Sequence, residues 1–141
     1  MKRFLLASHG PLADAMLESA ALIGGKSLLA SFSAIGVAME DSTEKIHGEI
    51  ERMFADFGEE DEIIALTDCC GGNITNILTE YVGIRNLHIV TGMNLGMVLE
   101  AGFSDGEASA EELEGRLRLM GQEGIRYVNA ELDSGRMEDE I

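Results

Sequence analysis

The 141-residue chain has no tryptophan, one proline, two cysteines and only ten lysines and arginines. Each scarcity excludes something. A single proline, with no low-complexity tract, leaves no stiff or Pro-rich linker. The two cysteines, Cys69 and Cys70, are adjacent. Neighbouring cysteines rarely meet disulfide geometry without distorting the peptide between them, so no disulfide framework is implied. The pair reads instead as small buried apolar residues. No apolar run approaches the ~20 residues of a membrane span. The apolar part of Met1–Ala7 is too short for a signal peptide, because polar Ser8, His9, Gly10 and Pro11 follow at once. The expectation is a cytoplasmic protein without membrane insertion. CxxC, HExxH, P-loop and Gly-x-Gly-x-x-Gly patterns do not occur.

Basic residues are outnumbered by 26 acidic ones, for a net charge of −16. Such a field repels phosphate backbones, so nucleic acid is a poor partner, and it favours a partner with a basic face. Hydrophobic residues at 45% and charged residues at 26% are globular values. The expected organisation is a single domain over residues 1–130 and an acidic tail over 131–141.

What is present is an alternation of short apolar runs and helical stripes. Runs at Arg3–Ser8, Ser27–Ser33, Ile63–Thr67 and Leu87–Thr91 read as strands. Between them, Leu12, Met16, Ala20 and Ile23 recur at helical spacing, as do Ile46, Ile50, Met53, Phe54 and Phe57 behind a capping-box pattern at Asp41–Glu44. Ile74, Ile77, Leu78 and Tyr81 form a third stripe, Leu95, Val98 and Leu99 a fourth. Ser109–Glu112 caps a fifth, through Leu113, Leu117 and Met120. Ile125–Val128 reads as a short last strand. The expected fold is a three-layer α/β/α domain with a mainly parallel sheet in the order 2-1-3-4, plus an antiparallel strand at the C-terminal end.

Ligands of such folds bind beyond the carboxyl ends of the strands. That points to Ser8-His9-Gly10, Ser33, Asp68 to Asn73, and Gly92-Met93-Asn94. His9 lies past the first strand and before Pro11, which suits a helix start. A helix N-terminus there would favour an anion, and a neutral imidazole beside it carries a lone pair able to attack phosphorus. His9 could equally cap a turn. Asp68 follows the third strand, which neighbours the first in this order. It could fix the imidazole's tautomer or merely cap its own turn. Gly71 and Gly72 allow a tight turn that presents N–H groups to an anion. Asn73 could be a helix N-cap, a donor to a phosphoryl group, or both. His47 reads as a surface residue. His88 sits near the start of the fourth strand, at the opposite end of the sheet from His9, which argues against a shared metal site. The eight methionines read as core filling.

Three segments resemble one family. Phe4-Leu5-Leu6-Ala7-Ser8-His9-Gly10-Pro11-Leu12-Ala13 is similar to the opening of the IIA component of the mannose/fructose/sorbose-family, phosphoenolpyruvate-dependent sugar phosphotransferase system. Thr67-Asp68-Cys69-Cys70-Gly71-Gly72-Asn73 resembles its second motif. Val90-Thr91-Gly92-Met93-Asn94-Leu95-Gly96-Met97 resembles its third. The resemblance spans about residues 3–128. It implies a phosphoryl carrier that accepts on His9, through Nε2, from the phosphocarrier protein HPr and passes the group to a IIB component. Asp68 matches the supporting aspartate, and Gly10, Gly71, Gly72 and Asn73 surround the phosphoryl group. No metal and no cofactor are implied. The chain departs from the pattern where Asn73 replaces a serine, Ile74 a proline and Gly96 a proline.

Three other readings compete. One is the phosphotransfer subunit of a dihydroxyacetone kinase system, separated by the identity of the acceptor. Another is a metal-binding, chelatase-like domain, since some chelatases open with Ser-His-Gly; it needs a second ligand at the His9 end of the sheet. The third is a regulatory module that has kept the fold. A homodimer is also expected. The last strand has no obvious place in a four-stranded parallel sheet, and the resembling family dimerises, in some members by exchanging such a strand.

Overall fold

The computed structural model describes residues 1–135. Four strands, β1 (Lys2–His9), β2 (Phe32–Val37), β3 (Glu62–Thr67) and β4 (Leu87–Val90), form one sheet in the order β2-β1-β3-β4. All three pairings are parallel. Six helices surround the sheet: α1 (Leu12–Gly24), α2 (Thr43–Ala55), α3 (Asn73–Thr79), α4 (Leu95–Phe103), α5 (Ala110–Glu123) and α6 (Val128–Asp133).

β1 reads as a nearly continuous apolar run because both of its faces are covered. Phe4 and Leu6 face one core, with Ile64, Leu66 and Val90, under α1, α4 and α5. Leu5 and Ala7 face the other, with Ile35, Ile63 and Ala65, under Ile46, Ile50 and Phe54 of α2 and Ile74, Ile77 and Leu78 of α3. These two cores make the three layers. Caps place three of the helices. Ser42 Oγ accepts from the Lys45 N–H, Asn94 Oδ1 from Met97 and Ser109 Oγ from Glu112, each at 3.1 Å.

Three expectations fail. The second strand is Phe32–Val37, not Ser27–Ser33. The apolar Leu28 and Leu29 lie instead in a 3₁₀ turn, Lys26–Leu29, and Leu29 packs against the α1/α4 core. Ser33 therefore lies near the beginning of β2, away from the carboxyl ends. Ile125–Val128 forms no strand among the described residues. After α5 the chain runs irregularly through 125–127, with Tyr127 extended, and enters α6 at Val128; Ile125 N–H donates to Gln122 O, Glu131 N–H to Tyr127 O, and Arg126 Nε pairs with Glu131 Oε1 at 2.5 Å. α6 thus enters the segment read as an acidic tail, whose last part, 136–141, lies outside the described residues. Finally, Cys69 and Cys70 are exposed, because they sit on the loop after β3.

The carboxyl edge of the sheet is held by one close approach. A Cβ on Gly36 of β2 would lie 2.3 Å from Gly10 O, a backbone atom that cannot yield cheaply. Gly36→Ala is therefore expected to cost about 1–3 kcal/mol, as overpacked sites do. A lowered urea midpoint with an unchanged m-value is the measurement that checks it.

Candidate functional site at the carboxyl edge of the sheet

The site follows from the register. Ala7 of β1 pairs with Thr67 of β3, and His9 pairs with Val37 of β2. Val37, the last residue of β2, therefore stands level with His9, and Asp68, the first residue after β3, stands one position short of it, level with Ser8. On the β2 side, Gly10 N–H donates to Val37 O at 2.8 Å. On the β3 side, the main-chain ladder ends and a side chain continues it. Asp68 N–H donates to Ala7 O at 3.2 Å, and the His9 N–H donates to Asp68 Oδ2 at 2.8 Å. The same oxygen lies 2.7 Å from His9 Nδ1, while Oδ1 accepts the Cys69 N–H at 2.9 Å.

Burial alone would raise the Asp68 pKa. The bonds from the His9 amide and ring, and from the Cys69 amide, outweigh it and hold the carboxyl below its ordinary 3.8. Asp68 is therefore ionised at neutral pH and can only accept. The hydrogen between it and Nδ1 belongs to the ring, which leaves the lone pair of neutral His9 on Nε2. The His9 side chain is 54% exposed and that of Asp68 13%. Expectation and geometry agree that the two meet.

A second surface fixes the ring. A Cβ on Gly72 would stand 2.9 Å from His9 Cε1 and 3.1 Å from Cys69 Sγ. The imidazole lies against a bare α-carbon, and only glycine leaves that room. Gly10 and Gly71 supply the positive-φ turns on either side, at 58° and 79°. Thr75 Oγ1 donates to Cys69 O at 2.9 Å and ties the loop to α3.

The helix starts differ from the sequence reading. Pro11 has no N–H, and Ala13 N–H is taken by the buried Ser8 Oγ at 2.8 Å. Asp14 adds negative charge to the same turn. The first turn of α1 thus offers an anion less than its position suggested. The residue that caps α3 is Gly72, with no side-chain capping bond, so Asn73 is not the N-cap and stands exposed as the first helical residue. Asn94 is absorbed by the fold: it caps α4, and its Nδ2 donates to Gly121 O at 3.1 Å.

The other histidines stay apart from this edge. His47 is half-buried, 2.8 Å from Tyr81 Oη through Nδ1 and 3.1 Å from Glu80 through Nε2. His88 is the second residue of β4, against Asn86 Oδ1.

Ser8, Gly36 and Thr75 were not assigned roles from sequence. Ser8 carried a faint signal, a polar residue ending an apolar run. Gly36 and Thr75 act through contacts across the fold and left none.

A family model, EIIA-man, described as the fructose IIA component of the phosphotransferase system, matches residues 3–116. The curated proteins give no significant match. Among solved structures, the mannose/sorbose-specific IIA subunit of the phosphotransferase system from Enterococcus faecalis superposes with a TM-score of 0.82. It is 29% identical over 90% of this chain and 95% of its own. The phosphotransferase system component EIIA from Streptococcus agalactiae does so at 0.80, with 25% identity over 92% and 99%. A sigma-54 interaction domain protein from E. faecalis reaches 0.70 at 19% identity, covering 88% and 93%, a likeness of fold alone. With the match running from β1 through the first half of α5, the chain belongs to the mannose/fructose-type IIA family of the sugar phosphotransferase system.

Proposed function

We propose that this protein is a histidine phosphoryl carrier, taking the group from HPr onto His9 Nε2 and handing it to a IIB component for sugar uptake. The observation that carries the reading is the pairing of one ionised carboxylate with Nδ1 of a half-exposed histidine, 2.7 Å apart. In the first step the Nε2 lone pair attacks phosphorus. The bond between phosphorus and the HPr imidazole breaks, and HPr leaves with its electron pair. His9 then bears phosphorus on Nε2 and a proton on Nδ1, a cationic ring beside the negative Asp68. That charge pair stabilises the phosphorylated form. Attack by the IIB acceptor reverses the sequence. The turn at Gly10 and the loop of Gly71, Gly72 and Asn73 surround the phosphoryl oxygens. Asp68 acts as a positioning residue, since it touches the ring and not phosphorus. The excess of acidic residues suits a partner with a basic face.

Incubation with phosphoenolpyruvate, enzyme I and HPr tests the reading. The expected product is one acid-labile, alkali-stable phosphate on His9. His9→Ala abolishes it, whereas His47→Ala and His88→Ala retain it. Full labelling of His9→Ala would sink the proposal.

Asp68→Asn keeps an oxygen for the His9 amide but removes the charge. A carboxylate that orients a ligating imidazole is worth about 10–100-fold, and a loss of that order in transfer rate is expected here. Stability provides a second reading. The carboxyl pKa is lowered on folding, so its contribution is complete above 3.8 and disappears as pH falls through the lowered native value. The stability gap between wild type and Asp68→Asn should therefore be constant near neutrality and close in acid. Equal transfer rates, with or without the gap, would reduce Asp68 to a turn cap.

The proposed functional unit is a homodimer. Ile125, Tyr127 and Leu132, three apolar side chains beyond α5, are 80%, 72% and 58% exposed, surface that a second copy could cover. Sedimentation of the full chain against one ending at Gly124 checks this. A dimer that dissociates on truncation is expected; a monomeric full chain refutes it.

A further inference from the structure

Cys69 is exposed and turns towards the ring of His9, and neither phosphoryl transfer nor the core gives it a task. A ring nitrogen of His9, a carboxylate oxygen of Asp68 and Cys69 Sγ all lie within 4.8 Å of one another. Gly72 is what brings them together, because His9 Cε1 and Cys69 Sγ rest against the same bare α-carbon. Cys70 faces elsewhere and lines a hollow with Thr75, Thr79, Leu87 and His88 beside β4.

We propose that His9, Asp68 and Cys69 form a binding site for a thiophilic divalent cation, with Zn²⁺ as the fitting ion. The donor set decides the class of ion. Thiolate and imidazole suit Zn²⁺ and disfavour Mg²⁺ and Ca²⁺, which take oxygen ligands. Cys69 Sγ and His9 Nδ1, the ring nitrogen beside Asp68, supply the two strong bonds, an Asp68 oxygen the third, and water the fourth. Zinc–ligand bonds of about 2.0–2.3 Å put tetrahedral ligands roughly 3.3–3.8 Å apart. The 2.7 Å contact between Nδ1 and Asp68 Oδ2 opens to reach that spacing, and rotation of the exposed Cys69 side chain brings Sγ onto the ion. Binding replaces the thiol proton, which leaves to solvent. The negative field of the protein concentrates cations at an open site of this kind. With the ion on Nδ1 the ring proton moves to Nε2 and removes the lone pair there, so the ion and a phosphoryl group on His9 exclude one another; this consequence alone rests on the carrier reading.

Co²⁺ titration of the full chain, freed of metal by a chelator, tests the site, because a Co²⁺–thiolate bond shows a near-ultraviolet charge-transfer band. The band is expected in wild type and in Cys70→Ser, and absent in Cys69→Ser. One equivalent of Zn²⁺ should abolish it. His9→Ala should weaken binding by at least about tenfold. No band at saturating Co²⁺, or a band that survives Cys69→Ser, overturns the site. A parallel assay uses purified phospho-HPr. Chelator-treated protein should label and Zn²⁺-loaded protein should not, while Cys69→Ser labels in both. Equal labelling of wild type in both conditions overturns the shared use of His9. A protein that labels in neither condition yet shows the band removes the carrier reading and leaves the metal site standing.

Discussion

The carboxylate of Asp68 is where the strand ladder of the sheet ends and the chemistry of its edge begins. Its Oδ2 takes the main-chain N–H of His9, a bond that a backbone carbonyl would make one residue earlier in the ladder. The same oxygen takes the ring, so a single atom fixes both where His9 stands and which way its imidazole faces. The other oxygen is committed to Cys69. A group that must accept on both oxygens can be an ionised carboxylate but not an amide in the same pose, since an amide has one acceptor end. Fold and ionisation are therefore the same constraint at this residue.

The sheet carries the other half of the arrangement. Gly10 is bonded to β2 while His9 is bonded to the residue after β3, so the histidine is anchored on both flanks of β1. The Ser8 hydroxyl holds the first turn of α1 from beneath. Little reorganisation is left for the ring to undergo in the proposed transfer, and preorganisation of this kind is how a small exposed site can favour a charged product.

Much of this was legible in the sequence because it depends on short-range pattern. Apolar runs covered on both faces, the stripes of α2 and α5 and the order of the strands all follow from periodicity and crossover rules. So does the meeting of His9 with Asp68, once β1 and β3 are neighbours. What failed depended on competition between partners. Leu28 and Leu29 form as apolar a run as a strand, but the 3₁₀ turn buries Leu29 against the α1/α4 core while Phe32 to Val37 takes the ladder. Ile125 to Val128 has strand composition but no ladder to join within one chain; it runs irregularly until α6 opens at Val128. The exposure of Cys69 and Cys70 was hidden for a similar reason. Their composition says core, while their place on a loop after β3 says surface.

The bare α-carbon of Gly72 shapes which sequences this edge can tolerate. Its backbone angles, φ −71° and ψ 158°, are open to any residue, so the imidazole and its neighbour alone restrict the position. Any side chain at this position must displace the imidazole or the Cys69 sulfur. Position 69 is in the opposite situation. Its amide and carbonyl do the structural work, bonded to Asp68 and Thr75, and its side chain is free to vary. A loop built this way can acquire new chemistry against the histidine by single substitutions, without disturbing the frame that holds the histidine in place.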